Sequence, residues 1–197
     1  MTILGAIIAG GRSARMGREK AGVLLDGKPL LAHVMARLSP QVDAVIINAN
    51  GPRFRFAGYG CPVIPDLLPD IATPLAGLHA VLRYARDKGH DAVVTVPSDG
   101  PFLPTDLVRR LQEARGQNDT AAIAMSGGQR HHLTGLWPAL CYELLDEQLT
   151  QHGLKRVQDF ARLAQAASVE WPSQPFDPFF NINTPDDLTT AAQFLLQ

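Results

Sequence analysis

The segment Gly10-Gly11-Arg12-Ser13-Ala14-Arg15-Met16-Gly17-Arg18-Glu19-Lys20 combines three glycines with four basic residues and one acid, directly after an apolar run of strand length. Glycine lets backbone amides approach a ligand closely and adopt positive φ, while Arg and Lys neutralise an anion. The chemistry this combination can do is to hold phosphate. A Walker-type loop is excluded because no Gly-Lys-Ser/Thr follows, and a dinucleotide fingerprint because the Gly-x-Gly-x-x-Gly spacing is absent. The competing reading is a surface loop whose arginines are merely solvated. The strand-to-loop position and the clustered charge favour the anion site.

Further polar residues sit just past apolar runs. Asp99 follows Val96-Pro97-Ser98 and precedes Gly100-Pro101. A carboxylate at a strand end can hold Mg²⁺, which takes one or two protein oxygens and completes its shell with water and substrate phosphate. Asp-Gly-Pro is equally good turn sequence. Asn48 ends another apolar run and Asp66 closes Pro62 to Pro65; each can reach a ligand there, and each is also an ordinary turn or cap residue. Asn183 or Thr184, ahead of Pro185, reads as a helix N-cap. The pair His131-His132 reads as surface decoration in a polar turn, and with no third ligand at metal spacing no zinc site is expected. No Gly-x-Ser-x-Gly, Ser/His/Asp order or paired-acid pattern supports hydrolysis by an activated side chain.

The elements that must position these residues are legible as an alternation. Apolar runs of strand length at Leu4 to Ala9, Ala44 to Asn48, Ala92 to Pro97 and Ala121 to Met125 suit strands buried on both faces. Between and after them lie amphipathic stretches of helix length: Pro29 to Leu38, Pro74 to Arg86, Pro104 to Arg115, Pro138 to Thr150, Leu154 to Ala164 and Pro185 to Leu196, several opening with proline. Such alternation implies βαβ units and a mostly parallel sheet, with ligands gathered at the carboxyl ends of the strands. Trp171 to Asn183 reads as irregular. At 197 residues without a linker or repeat, one domain spanning 1–197 is expected. A net charge of -1 excludes a broadly basic nucleic-acid binder, so any anion site must be local. Two distant cysteines, Cys61 and Cys141, fit neither a disulfide framework nor a zinc site, and the N-terminal apolar run is too short for a signal peptide or a membrane span. A cytoplasmic protein is expected, with no nucleic-acid or membrane partner.

The string Ile8-Ala9-Gly10-Gly11-Arg12-Ser13-Ala14-Arg15-Met16-Gly17, with Lys20 beyond it and Asp26-Gly27-Lys28-Pro29-Leu30 downstream, resembles the nucleotide-binding signature of the molybdenum cofactor guanylyltransferase family. Pro97-Ser98-Asp99-Gly100-Pro101 and Asn181-Ile182-Asn183-Thr184-Pro185 are similar to that family's Pro-x-Asp-x-Pro and Asn-x-Asn-Thr-Pro elements, in the same order. The resemblance implies a Rossmann-like three-layer α/β/α nucleotidyltransferase fold. It also implies transfer of GMP from GTP to the terminal phosphate of molybdenum-loaded molybdopterin, with release of pyrophosphate.

The same resemblance assigns residues. The backbone of Ile8, Ala9, Gly10 and Gly11 lies against the base, Arg15 and Lys20 contact the triphosphate, and Asn48 and Asp66 contact the nucleotide, the acid being able to accept from guanine N1 and N2. Asp99 becomes the Mg²⁺ ligand and, with Arg15 and Lys20, the catalytic set. Gly11 favours GTP over CTP, because guanylyl members read Ala-Gly-Gly where cytidylyl relatives read Ala-Ala-Gly. Arg130 and His132 fall near the pterin pocket, although Leu133 replaces a proline there. Asn181 borders the metal and acceptor site, and Asn183 mainly caps the last helix. Thr73 departs from the family by replacing the first glycine of a Gly-Pro-Leu-Ala-Gly element. Molybdenum-insertion proteins and recipient molybdoenzymes are the implied protein partners. The rival readings are a cytidylyltransferase for the same pterin, a sugar-phosphate nucleotidyltransferase, and a GTP- or pterin-binding adaptor without catalysis.

Overall fold

Ile3–Ile8 is apolar apart from one glycine and buried at every position, as a strand covered on both faces must be. The computed structural model describes residues 1–9, 23–115 and 120–196. In chain order its elements are β1 (Ile3–Ile8), β2 (Leu24–Leu25), β3 (Lys28–Pro29), α1 (Leu30–Leu38), β4 (Ala44–Asn48), β5 (Val63–Ile64), α2 (Pro74–Asp87), β6 (Ala92–Pro97), α3 (Leu107–Ala114), β7 (Ala122–Ser126), β8 (Gln129–Pro138), α4 (Cys141–Thr150), α5 (Val157–Leu163), β9 (Ala167–Trp171) and α6 (Pro185–Phe194). Seven strands form one sheet in the order β5-β4-β1-β6-β8-β7-β9, and β2 pairs with β3 apart from it. Within the sheet only β8 runs against its neighbours, so the expected mostly parallel arrangement is found.

Alternation along β1 divides the core into two layers. Ile3 and Ile7 join Leu31, Val34 and Leu38 of α1 and Leu107, Val108 and Leu111 of α3 on one face. Leu4, Ala6 and Ile8 join α2, α4 and α5 on the other, through Leu78, Val81, Leu145 and Phe160 among others. A smaller cluster of Leu25, Leu30, Phe102, Ile182 and Ala191 fastens α6 beside the carboxyl end of β6.

Within the seven-stranded sheet, β8 and β9 lie outside the sequence-based expectation, as do the short β2 and β3 apart from it. Gln129–Pro138 is a ten-residue strand rather than a polar turn followed by a helix, so α4 starts at Cys141 instead of Pro138. Its first half is polar because it borders a cavity, and only its second half is buried. Gly127 and Gly128, at φ 54 and 77, supply the two left-handed positions that a two-residue hairpin from β7 into β8 requires. At the sheet edge, β9 buries Val169 and Trp171 and exposes Ser168 and Glu170. α3 begins at Leu107 rather than Pro104.

Candidate active site

The carboxyl ends of β4, β1 and β6 are joined to one another by backbone hydrogen bonds. The Ala9 N–H donates to the Asn48 carbonyl at 2.8 Å and the Ser98 N–H to the Ile8 carbonyl at 3.2 Å. Ile8, Ala9, Asn48 and Asp99 therefore stand along one edge, where the chain turns from building the sheet on the β4 side to building it on the β6 side. Gly10, Gly11, Arg15 and Lys20 lie outside the described residues.

On the β4 side, Asn48 is 1% exposed and its amide donates to the Asp66 carboxylate at 2.9 Å and to the Ile64 carbonyl at 3.3 Å. Asn50 donates to the second Asp66 oxygen at 2.7 Å and accepts from the Asp66 N–H at 2.9 Å. Two asparagines thus aim one carboxylate. Asn48 Oδ1 is buried without a partner and lies 2.4 Å from where a Cβ on Gly77 would stand, so α2 closes over the asparagine because residue 77 has no side chain. Thr73, the residue that departs from the family pattern, is the N-cap position of α2, and its hydroxyl is buried without a partner. Gly77 closes the Thr73-Pro74-Leu75-Ala76-Gly77 element that resembles the family's, whereas Asn50 has no role assigned from sequence; the Asn48-Ala49-Asn50 spacing, two asparagines leaving one strand on one side, is the signal for it.

On the β6 side a cavity of about 340 Å³ is lined by Asp99, Gly100, Arg130, His131, His132 and Asn181, among others. The Ile182 N–H donates to the Asp99 carbonyl at 2.9 Å, which brings the segment before α6 to the end of β6. Asn181 Oδ1 lies 3.2 Å from where a Gly100 Cβ would stand. β8 supplies the other wall. Between its pairing of Gly135 with Ile123 and of His131 with Ala124, three residues of β8 have no partner on β7. Bulges of this kind redirect side chains, and this one sets His132, Leu133 and Thr134 at the cavity. Burial pushes the His132 pKa down, with the Arg130 charge acting in the same direction, and its Nδ1 is buried without a partner.

Asn183 is half-buried and is not among the residues lining this cavity. The expectation that it mainly caps the helix needs correction: Thr184 is the N-cap of α6, accepting from the Asp187 N–H, while the Asn183 and Thr184 N–H groups both donate to Asp187 Oδ2 at 2.8 Å. The Thr184 hydroxyl and the Asp187 carboxylate, three residues on, make the reciprocal capping box.

Among the described residues no group of three or more His, Cys, Asp and Glu is placed to hold a metal ion. Asp99 and Asn181 nonetheless both line the one cavity, and their side chains carry the kind and number of oxygen donors that a Mg²⁺ shared with substrate phosphates takes from protein. Among the described residues no helix is long and apolar enough to cross a membrane.

The fold is α/β, one sheet between two layers of helices with carboxylates and amides gathered at its carboxyl edge, and the family match makes the class a nucleotidyltransferase. Residues 5–167 match the MobA-like NTP transferase domain, and the chain belongs to that family. It is 45% identical to the molybdenum cofactor guanylyltransferase of Rhizobium leguminosarum bv. trifolii, over 98% of this chain and 93% of the relative. It is 43% identical to that of Cereibacter sphaeroides, over 99% and 98%. The crystal structure of molybdopterin-guanine dinucleotide biosynthesis protein A from Archaeoglobus fulgidus superposes with a TM-score of 0.75 at 26% identity, covering 98% of both chains.

Proposed function

We propose that this protein transfers GMP from GTP to the terminal phosphate of molybdenum-loaded molybdopterin, giving the guanine dinucleotide cofactor and pyrophosphate. The observation that carries this reading is one sheet edge holding two prepared sites, Asn48–Asp66 on one side of β1 and the Asp99–Asn181 cavity on the other, in a chain similar to guanylyltransferases over almost all of its length.

The acceptor's terminal phosphate monoester has its second pKa near 6, so at neutral pH the nucleophile is already ionised and needs no general base. One of its oxygens attacks the α-phosphorus of GTP; the new O–P bond forms as the bond to the bridging oxygen of pyrophosphate breaks. The chain's work is then positioning and charge. The glycine segment with Arg15 and Lys20 receives the triphosphate and offsets the charge that builds on pyrophosphate. Asp66 has acceptor capacity beyond its two asparagine bonds and takes the guanine N1 and N2 hydrogens; Asn48, whose amide donors are both engaged within the protein, acts by orienting it. Asp99, beside Asn181, would hold Mg²⁺, which when bound neutralises phosphate charge. Arg130 and His132 receive the acceptor, and Asn183 contributes through the segment it shares with Asn181. The surroundings of such chemistry are the cytoplasm, with molybdenum-insertion proteins upstream and recipient molybdoenzymes downstream.

The test is pyrophosphate release by the purified protein with Mg²⁺ and molybdopterin, offered GTP, CTP or ATP in turn. GTP-selective release is expected. CTP preference would overturn the assignment made from Gly11, and no release with any nucleotide would leave binding without catalysis.

A further inference from the structure

His131 has no role in the reading above, yet a chain of hydrogen bonds through the buried Ser126 fixes its ring at the cavity wall. Ser126 Oγ lies 2.7 Å from His131 Nε2 and 2.8 Å from Asp177 Oδ1, and the Phe179 N–H donates to that same carboxylate oxygen at 2.8 Å. Ser126 is 2% exposed, so no solvent competes for its hydroxyl. A serine hydroxyl has one proton, and a carboxylate only accepts. That proton therefore goes to Asp177, and Ser126 Oγ must accept from His131, whose Nε2 carries the hydrogen. This is not a nucleophilic triad, because the serine proton points at the acid and the imidazole has no lone pair on Nε2 to take it.

With Nε2 protonated, a neutral His131 leaves Nδ1 as a hydrogen-bond acceptor. Burial lowers the His131 pKa, with the Asp177 charge opposing, which keeps the ring neutral at neutral pH. Phe179 packs on the imidazole with ring centroids 4.8 Å apart and is itself backed by Trp171 at 5.3 Å. A neutral nitrogen lone pair repels phosphate oxygens and pairs with N–H.

We propose that His131 is a specificity-determining residue for the acceptor, its Nδ1 accepting from an N–H of the acceptor's nitrogen heterocycle, with Ser126 and Asp177 as positioning residues that fix the tautomer. The proposal rests on the assignment of this cavity to molybdopterin.

Pyrophosphate release at saturating GTP and varied molybdopterin tests it, alongside ¹⁵N NMR of the imidazole nitrogens. In His131→Phe the molybdopterin KM rises about tenfold, the size of one lost hydrogen bond, while kcat and the GTP KM stay within about twofold. His131→Gln, which keeps an acceptor oxygen, recovers part of that loss. NMR shows the Nε2–H tautomer in the wild type, and Ser126→Ala moves it toward a mixture. An unchanged molybdopterin KM in both His131 variants, a loss confined to kcat, or an Nδ1–H tautomer in the wild type overturns the proposal. A wild-type protein that releases no pyrophosphate at all would instead sink the functional reading, and this inference with it.

Discussion

Asn48 shows how much a single buried amide can organise. Its two donors tie β4 to the Ile64 carbonyl and to Asp66, and its oxygen faces the bare Cα of Gly77. Gly77→Ala would place a methyl 2.4 Å from that oxygen and 3.3 Å from Ile8 Cγ2, and neither neighbour can swing into solvent. The variant is expected to lose about 1–3 kcal/mol of stability by urea unfolding. Its GTP affinity by calorimetry should fall as well, because Asp66 loses its guide; unchanged affinity would mean that Asn48 does not orient Asp66 for the nucleotide. The cavity histidines make a second prediction at this scale. In the unfolded chain a histidine gains its proton near 6.5, whereas burial lowers the folded-state pKa of both His131 and His132. Below 6.5 the unfolded state thus binds more protons, and stability present above that pH is lost as it falls through the folded-state values. Urea midpoints should drop between about pH 7.5 and about pH 5.5, above the carboxylate range, and drop less in His131→Phe. Equal drops in the two proteins would remove His131 from the explanation.

At the level of elements, α6 acts on the site from a distance. Its capping box begins one residue after Asn183, and the same stretch reaches the end of β6 through the Ile182–Asp99 hydrogen bond. Thr184→Ala removes the cap hydroxyl and should cost about 1 kcal/mol. Asn181 sits three residues away, so the molybdopterin KM should rise more than the GTP KM, a split that steady-state kinetics reads directly. The parallel strands and their helices were legible because β1, most of β6 and the second half of β4 are buried on both faces and carry largely apolar runs, which that environment explains. Asp99 was legible because such a run stops there. β8 was not, because its first half is polar where it borders the cavity and its bulge breaks any period; Gly127-Gly128 after β7 was the hairpin signal available. The Ser126–Asp177 link joins residues 51 positions apart, a pairing that no local pattern encodes.

Across the whole molecule, the sheet divides labour between its two edges. The carboxyl edge carries the polar groups assigned to substrates, while the amino edge is tied by carboxylates whose partners among the described residues include backbone N–H groups, the Thr2 hydroxyl and the N-terminal ammonium. There the Ile3 N–H donates to Asp43 Oδ2 and the Thr2 N–H to Asp91 Oδ2, each at 2.6 Å, anchoring the start of the strand on which both substrate sites depend. Those bonds hold β1 in place but lie at the opposite end of the strand from Ile8 and Asp99. Asp43→Ala should therefore lower stability by about 1 kcal/mol, the worth of one backbone hydrogen bond. Assayed well below its melting temperature, that variant should keep kcat/KM for GTP and for molybdopterin within about twofold of wild type. Asp99→Asn, a near-isosteric change at the other edge, should do the reverse: pyrophosphate release falls about a hundredfold or more while the urea midpoint moves comparatively little. The crossed pattern is the prediction, because a fold in which both edges shared one role would lose stability and activity together in either variant. If Asp43→Ala raised either substrate's KM under conditions where it is fully folded, the edges would be coupled through β1, and strain at its first residue would be felt at its last.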